Sequence, residues 1–224
     1  MGPGSGEHGS RAQLPLFTQV KGTALIGALA ALRPTAAKQP ELVPAPLRHY
    51  LDDEILDDGW YSFEEYLALL KILASTIDPA KAKGDVFRAF GVIAAQRDLR
   101  GAQPNVPVEQ QLKQVGVYAG KLQGVTGLAS LVRRGLHLRE LYYSRGYYKV
   151  KRTAERKLEV TLHDFPVSAE LCAVSTGYLT EVFRSAKIGA WVERISCKGK
   201  GDADCRWELR FNDDADVTDL DVFK

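Results

Sequence analysis

The period of the hydrophobic pattern changes once along this chain, near residue 139. Before that point, apolar side chains recur every three or four residues, which is typical of helices that bury one face. The clearest helix begins at Ser62, because Ser62 and Glu65 form a capping box. A short strand or loop followed by a helix is predicted over 17–33, and further helices over 80–97, 108–122 and 126–136.

After residue 139 the chain becomes rich in Tyr, Val, Leu and Thr, which favours strands. The predicted strands are 141–152, 157–163, 188–196 and 205–211, with a helix from Val167 between the second and the third. Helices that precede strands in this way predict an α+β fold. We expect an N-terminal helical layer packed on an antiparallel four-stranded sheet, with a helix between the two hairpins.

The same pattern divides the chain into four parts. Residues 1–10 are typical of a vector-derived remnant and are left out of the fold prediction. Residues 11–136 form the helical part, and residues 137–212 form the α+β part, which we expect to continue the same domain. Residues 213–224 are an acidic tail, either frayed or docked on a basic surface.

Composition and charge restrict the classes of function. The 224 residues are 45% hydrophobic and carry a net charge of +2, as in a soluble globular protein. The longest apolar run, 23–32, is shorter than the roughly 20 residues that span a membrane. We therefore expect a cytoplasmic protein with no membrane partner. The basic, tyrosine-rich segment 133–157 would suit single-stranded nucleic acid or an anionic ligand, but a solvated outer face is the favoured interpretation.

The three cysteines lie in one stretch, with spacings of 25 and 8 residues between Cys172, Cys197 and Cys205. A helix packed on a hairpin could bring the three thiols together. Three thiolates and one further ligand would make a tetrahedral zinc site. Two alternatives stay open: the cysteines are small buried apolar side chains, or Cys197 and Cys205 form a disulfide, which a reducing cytoplasm disfavours.

The cysteine stretch resembles the C-terminal part of the vinyl-reductase-like (4VR) ligand-binding domains, especially those of phenol- and toluene-responsive activators. The matching residues are Cys172, Gly177-Tyr178, Val192-Glu193, Cys197-x-Gly199-x-Gly201-Asp202-x-x-Cys205-Arg206-Trp207. The resemblance implies a structural zinc held by the three cysteines and a glutamate. The family places that glutamate where this chain has Arg194, so Glu193 is a ligand only if a slip or bulge turns it. Otherwise Asp204, His163 or water is the fourth ligand, or there is none.

The upstream segments 20–25 and 60–67 are similar to an uncharacterised bacterial family that joins a helical half to a 4VR-like half. The wider superfamily includes haem nitric-oxide sensors and TRAPP subunits, which implies an apolar pocket and a homodimer. Haem is not expected from the residues. Tyr142, Ser144 and Arg145 lack one spacer of the Tyr-x-Ser-x-Arg motif of those sensors, and His137 lies too close to them.

The chain contains no phosphate-binding glycine loop, His-Glu metal-hydrolase motif or nucleophile elbow, so we do not expect an enzyme. The sequence instead predicts a non-catalytic sensory or regulatory module that binds a small apolar ligand. The candidate ligand-binding residues are Tyr118, Leu122, Tyr148, Tyr178 and Trp191. The alternative is a protein-interaction or dimerisation scaffold of the TRAPP type.

Overall fold

The computed structural model describes residues 18–77, 83–100, 127–166 and 168–224. The helices are α1 (Gly22–Ala36), α2 (His49–Asp52), α3 (Phe63–Ile77), α4 (Lys83–Arg100), α5 (Leu128–Glu140) and α6 (Ala169–Ser185). The strands are β1 (Gln19–Lys21), β2 (Trp60–Ser62), β3 (Tyr147–Ala154), β4 (Lys157–His163), β5 (Ala190–Ser196) and β6 (Cys205–Phe211). The predicted helix over 108–122 lies outside the described residues.

The principal sheet is antiparallel, with the strand order β3-β4-β6-β5. Strands β1 and β2 form a separate antiparallel pair, in which Lys21, just before α1, lies opposite Trp60, and Ser62, just before α3, lies opposite Gln19. These elements confirm the predicted α+β fold, with helices covering an antiparallel four-stranded sheet. No described helix is long and apolar enough to cross a membrane.

Alternation along β6 fixes which face of the sheet is covered. Cys205, Trp207, Leu209 and Phe211 are buried, whereas Arg210 between them is exposed. The buried face packs against α6, and the indole Nε1 of Trp207 donates to Thr176 Oγ1 at 2.9 Å. Helix α6 is thus anchored to the sheet by one of its faces.

The opposite face of α6 packs against α4, and glycines make the contact. A Cβ atom built on Gly91 of α4 would lie 1.9 Å from the carbonyl oxygen of Val174. A Cβ atom built on Gly177 of α6 would lie 1.9 Å from the carbonyl oxygen of Arg88. The two helix backbones touch directly, an approach that glycine alone permits.

The acidic tail is docked. Its 3₁₀ helix, Thr218–Phe223, buries Leu220 and Phe223. Asp219 Oδ2 accepts a hydrogen bond from the backbone N–H of Ala129 at 2.9 Å, in the first turn of α5. An acidic side chain at a helix N-terminus is stabilising, so the tail helps to hold α5.

We expect Gly91→Ala and Gly177→Ala each to lower the free energy of unfolding by about 3 kcal/mol, because the added methyl group forces the helices apart. Urea denaturation measures this difference. Gly84→Ala is the matched control: it lies on the same helix α4, where a Cβ atom meets open space. Its effect should stay within about 1 kcal/mol. Unchanged stability in both test variants would contradict the backbone contact.

Candidate functional site

A cavity of about 250 Å³ lies among α1, α3, α4, α5 and α6. Small residues on one face of α1 leave this space: Ala24, Gly27, Ala28 and Ala31 all line it. Leu70, Leu73, Phe90 and Val174 give the other walls their apolar character. Ile77 and Ile93 line the cavity and are 52% and 62% exposed, so they mark its solvent-facing side.

One end of the cavity is polar and is organised by the buried side chain of Asp98. The hydroxyl groups of Tyr142 and Tyr178 donate to its two oxygens at 2.5 Å and 2.9 Å. The Nε atom of Arg97 lies 3.7 Å from Asp98 Oδ1, and its other nitrogens donate to Thr23 O and Tyr142 Oη. These four side chains, Arg97, Asp98, Tyr142 and Tyr178, are called the Asp98 cluster below.

Burial sets the ionisation of this cluster. Desolvation raises the pKa of Asp98 above its ordinary value, although Arg97 and the two tyrosine hydroxyl groups oppose the rise. Desolvation likewise raises the pKa of Tyr142 and Tyr178, and the nearby Asp98 adds to it. Both tyrosines are therefore neutral hydrogen-bond donors toward Asp98.

A second arginine, Arg139 of α5, also lines the cavity. It is only 7% exposed, and its guanidinium lies over the ring of Tyr143, 4.4 Å from the ring centroid. Its buried Nε atom has no hydrogen-bond acceptor. Among the described residues, no carboxylate forms an ion pair with it.

The three cysteines form a separate cluster on the sheet side of α6. Their Sγ atoms all lie within 4.8 Å of one another, and all three residues are buried. Cys172 Sγ lies 3.1 Å from Cys205 Sγ, which also accepts the backbone N–H of Lys198. The hydrogen bond from Cys172 lowers the pKa of Cys205 to about 6, and the same contact raises the pKa of Cys172. Thiolate sulfur is a ligand that soft metal ions prefer.

The structure does not bring Glu193 to these sulfur atoms. Glu193 is exposed on the same face of β5 as Ile195, and its carboxylate pairs with Arg210 at 3.2 Å. The irregularity in β5 falls between Arg194 and Ser196, after Glu193, so it turns Cys197 inward and leaves Glu193 outside. Within the described part of the chain, no His, Asp or Glu side chain joins the three cysteines.

The predicted ligand-binding residues are scattered. Tyr178 lines the cavity, whereas Tyr148 lines a smaller recess beside Cys172. Trp191 lies on the solvent face of the edge strand β5, the same face as Glu193, and is 64% exposed. Tyr118 and Leu122 lie outside the described residues.

The sequence prediction missed Arg97, Asp98 and Arg139. Each interrupts an apolar helical stripe. Arg97 follows Phe90, Ile93 and Ala94 on α4, and Arg139 follows Leu131, Val132 and Leu136 on α5. Charged residues in the core-facing positions of amphipathic helices could have indicated a buried polar site.

By sequence, no family model matches the chain and no curated protein is similar to it. Its structure is similar to a mutant H-NOX protein from K. algicida in the unliganded Fe(II) state, with 14% identity and a TM-score of 0.57, over 87% of this chain and 97% of that one. It is also similar to an S. oneidensis H-NOX protein in the Fe(II)NO state, with 15% identity and a TM-score of 0.54, over 86% and 99%. An oxygen complex of an H-NOX domain related to soluble guanylate cyclases gives 13% identity and a TM-score of 0.53, over 86% and 95%.

This chain has the fold of the haem-NO-binding (H-NOX) domains. The expectation against haem is wrong. It depended on the spacing of the motif at Tyr142 and on the position of His137, whereas proteins with this fold have been solved to study haem distortion. Those proteins are in Fe(II), Fe(II)NO and oxygen-bound states, and the comparison gives no support to the zinc prediction. The resemblance to 4VR domains and TRAPP subunits stays a prediction.

We expect Asp98→Asn to lower the free energy of unfolding by about 3–5 kcal/mol, because it leaves the partly buried Arg97 without its counterion and removes the charged acceptor of two buried tyrosine hydroxyl groups. Urea denaturation again gives the value. The control, Glu193→Gln, removes an exposed partner of Arg210 and should cost less than about 1 kcal/mol. Equal effects of the two substitutions would contradict a buried Asp98 cluster.

We also expect the three thiols of the folded protein to react with Ellman's reagent no faster than the chain unfolds, since all three are buried. In guanidinium chloride all three should react. The lowered pKa of Cys205 would make an exposed thiol reactive, so its burial is what protects it. Ser75→Cys supplies an exposed thiol as the control. A native cysteine that reacts as fast as that control would refute the buried cluster.

Proposed function

We propose that this protein is a non-catalytic sensory module that binds a small apolar ligand in the cavity among its helices. The cavity of about 250 Å³, walled by aliphatic and aromatic side chains, is the observation that carries the proposal. Ligand sites are typically apolar clefts with a few convergent polar groups. The H-NOX fold supports it, since related structures were solved with NO and with oxygen.

The position of the cavity suggests how binding would be transmitted. A ligand there would contact Val174 and Tyr178 of α6 together with Phe90 and Ile93 of α4. The same helix α6 anchors the sheet through Thr176 and Trp207. A ligand that prefers one spacing of α4 and α6 would therefore bias the packing of the sheet as well.

Haem can be tested against the residues that line the cavity. No described histidine lines it: His49 and His137 are exposed, and His163 stacks on Tyr147 at a centroid distance of 5.3 Å. The hydroxyl groups of Tyr142 and Tyr178 donate to Asp98, so neither is available as a phenolate ligand. Among the described residues, the cavity lining therefore supplies no axial ligand for a haem iron.

The second candidate function is an interaction scaffold, for which β5 provides a specific observation. Trp191 and Ile195 are exposed on the same face of this edge strand. Edge strands offer unpaired backbone groups to other chains. A homodimer or a partner protein that uses this strand is compatible with a ligand in the cavity, because β5 does not line it.

Ligand binding should raise the melting temperature. At a concentration of 100 times Kd, an apolar ligand such as toluene or naphthalene should raise Tm by roughly 5–10 °C. Hemin is titrated in parallel, with the Soret band as its signal. We expect Ala94→Phe, which fills the cavity from α4, to abolish the shift.

Ala89→Phe is the matched control, because Ala89 is exposed on the same helix and does not line the cavity. It should bind the ligand as the wild type does. If neither the apolar ligands nor hemin binds, the sensory proposal is wrong. Binding that survives Ala94→Phe would place the ligand elsewhere.

A further inference from the structure

The polar end of the cavity contains more positive than negative charge. Arg97 and Arg139 both line the cavity, and both guanidinium groups stay protonated in proteins. Among the described residues, Asp98 is the one carboxylate that pairs with either arginine, and its partner is Arg97. Counting these three side chains leaves one unbalanced positive charge, which belongs to Arg139.

The acidic groups near Arg139 have other partners. Asp98 accepts hydrogen bonds from the hydroxyl groups of both Tyr142 and Tyr178. The carboxylate of Glu140 accepts the backbone N–H of Tyr148 at 2.7 Å and lies 3.8 Å from the ring of His137. In the part of the chain that the structure describes, Arg139 thus has an aromatic ring beneath it and no counterion.

Burial makes this arrangement costly. A charge removed from water is destabilising unless it is paired and hydrogen-bonded. The contact with the ring of Tyr143 offsets only part of that cost. The buried Nε atom of Arg139 is a donor without an acceptor, and the Nε atom of Arg97, which also lines the cavity, is another. A ligand that supplied an anionic acceptor would satisfy both the charge and the donors.

We propose that the cavity binds a small monocarboxylic acid whose carboxylate pairs with Arg139, while its apolar body lies against Leu70, Leu73 and Phe90. This inference rests on the proposed function and specifies the class of ligand. A carboxylate matches the planar fork of a guanidinium. One negative charge balances the excess, whereas a dianionic phosphate would reverse it.

The size of the cavity limits the apolar body. An engineered protein cavity of about 150 Å³ holds benzene. The cavity of about 250 Å³ described here therefore suits one ring with a short side chain. The probe is 3-phenylpropionate, and its neutral comparison is 3-phenylpropanamide, which has the same shape and no charge.

Isothermal titration calorimetry at pH 7 compares the two probes. We expect the wild type to bind the acid at least ten times more tightly than the amide. Arg139→Gln should remove most of that preference while the affinity for the amide stays the same. Arg139→Lys keeps the charge without the fork and should retain part of the preference.

Arg134→Gln is the matched control, because Arg134 is exposed on the same helix α5. It should behave as the wild type does. Equal binding of acid and amide by the wild type would overturn the carboxylate inference and leave the proposed function standing. An unchanged preference in Arg139→Gln would overturn the assignment to Arg139. If the wild type binds neither these probes nor apolar hydrocarbons, the proposed function itself fails.

Should Arg139→Gln fail to fold, the comparison of acid and amide in the wild type still decides whether charge is recognised. A second wild-type measurement then locates the recognition. Bound 3-phenylpropionate should be displaced by toluene, since both occupy the cavity. Failure of toluene to compete would place the acid outside the cavity and overturn the proposal.

Discussion

The direct contact between the backbones of α4 and α6 determines the rest of the arrangement. Gly91 and Gly177 each face a carbonyl oxygen of the other helix, so the two helices approach more closely than side chains would allow. Helix α6 is consequently enclosed, with α4 on one side and β6 on the other. That enclosure explains why Thr176 and Glu181 are buried together with its apolar residues, and why Thr176 bonds to Trp207.

With α6 fixed in this way, its side chains divide between two sites. Cys172 and Thr176 face the sheet, where the three thiols meet. Val174 and Tyr178 face the cavity, where Tyr178 reaches Asp98 of α4. The cysteine cluster and the cavity therefore lie on opposite sides of one helix. A change in the position of α6 would alter both the cysteine cluster and the cavity, because close-packed interiors transmit small displacements.

The sequence predicts what depends on local periodicity and misses what depends on distant neighbours. Richness in Tyr, Val, Leu and Thr located the four strands, and a helix packed on a hairpin anticipated the meeting of Cys172, Cys197 and Cys205. Strand β3 begins at Tyr147 instead of residue 141, because Gly146 (φ +94°) turns the chain against Phe165 and Tyr143 bridges to Val20. No local signal could show that Gly91 and Gly177 meet, since 86 residues separate them.

The surroundings of Arg97 and Arg139 also depend on distant neighbours, and they bear directly on what the cavity can bind. A charged residue in an apolar stripe signals a buried polar site, but the stripe does not show which groups the fold places around that residue. Arg97 finds Asp98 and Tyr142, so its charge is neutralised within the fold. Arg139 finds the face of Tyr143, which attracts a cation without neutralising it. A fold that needed Arg139 only for packing would be better served by an uncharged residue of similar volume. The positive charge of Arg139 therefore becomes favourable to the protein when an anion enters the cavity beside it.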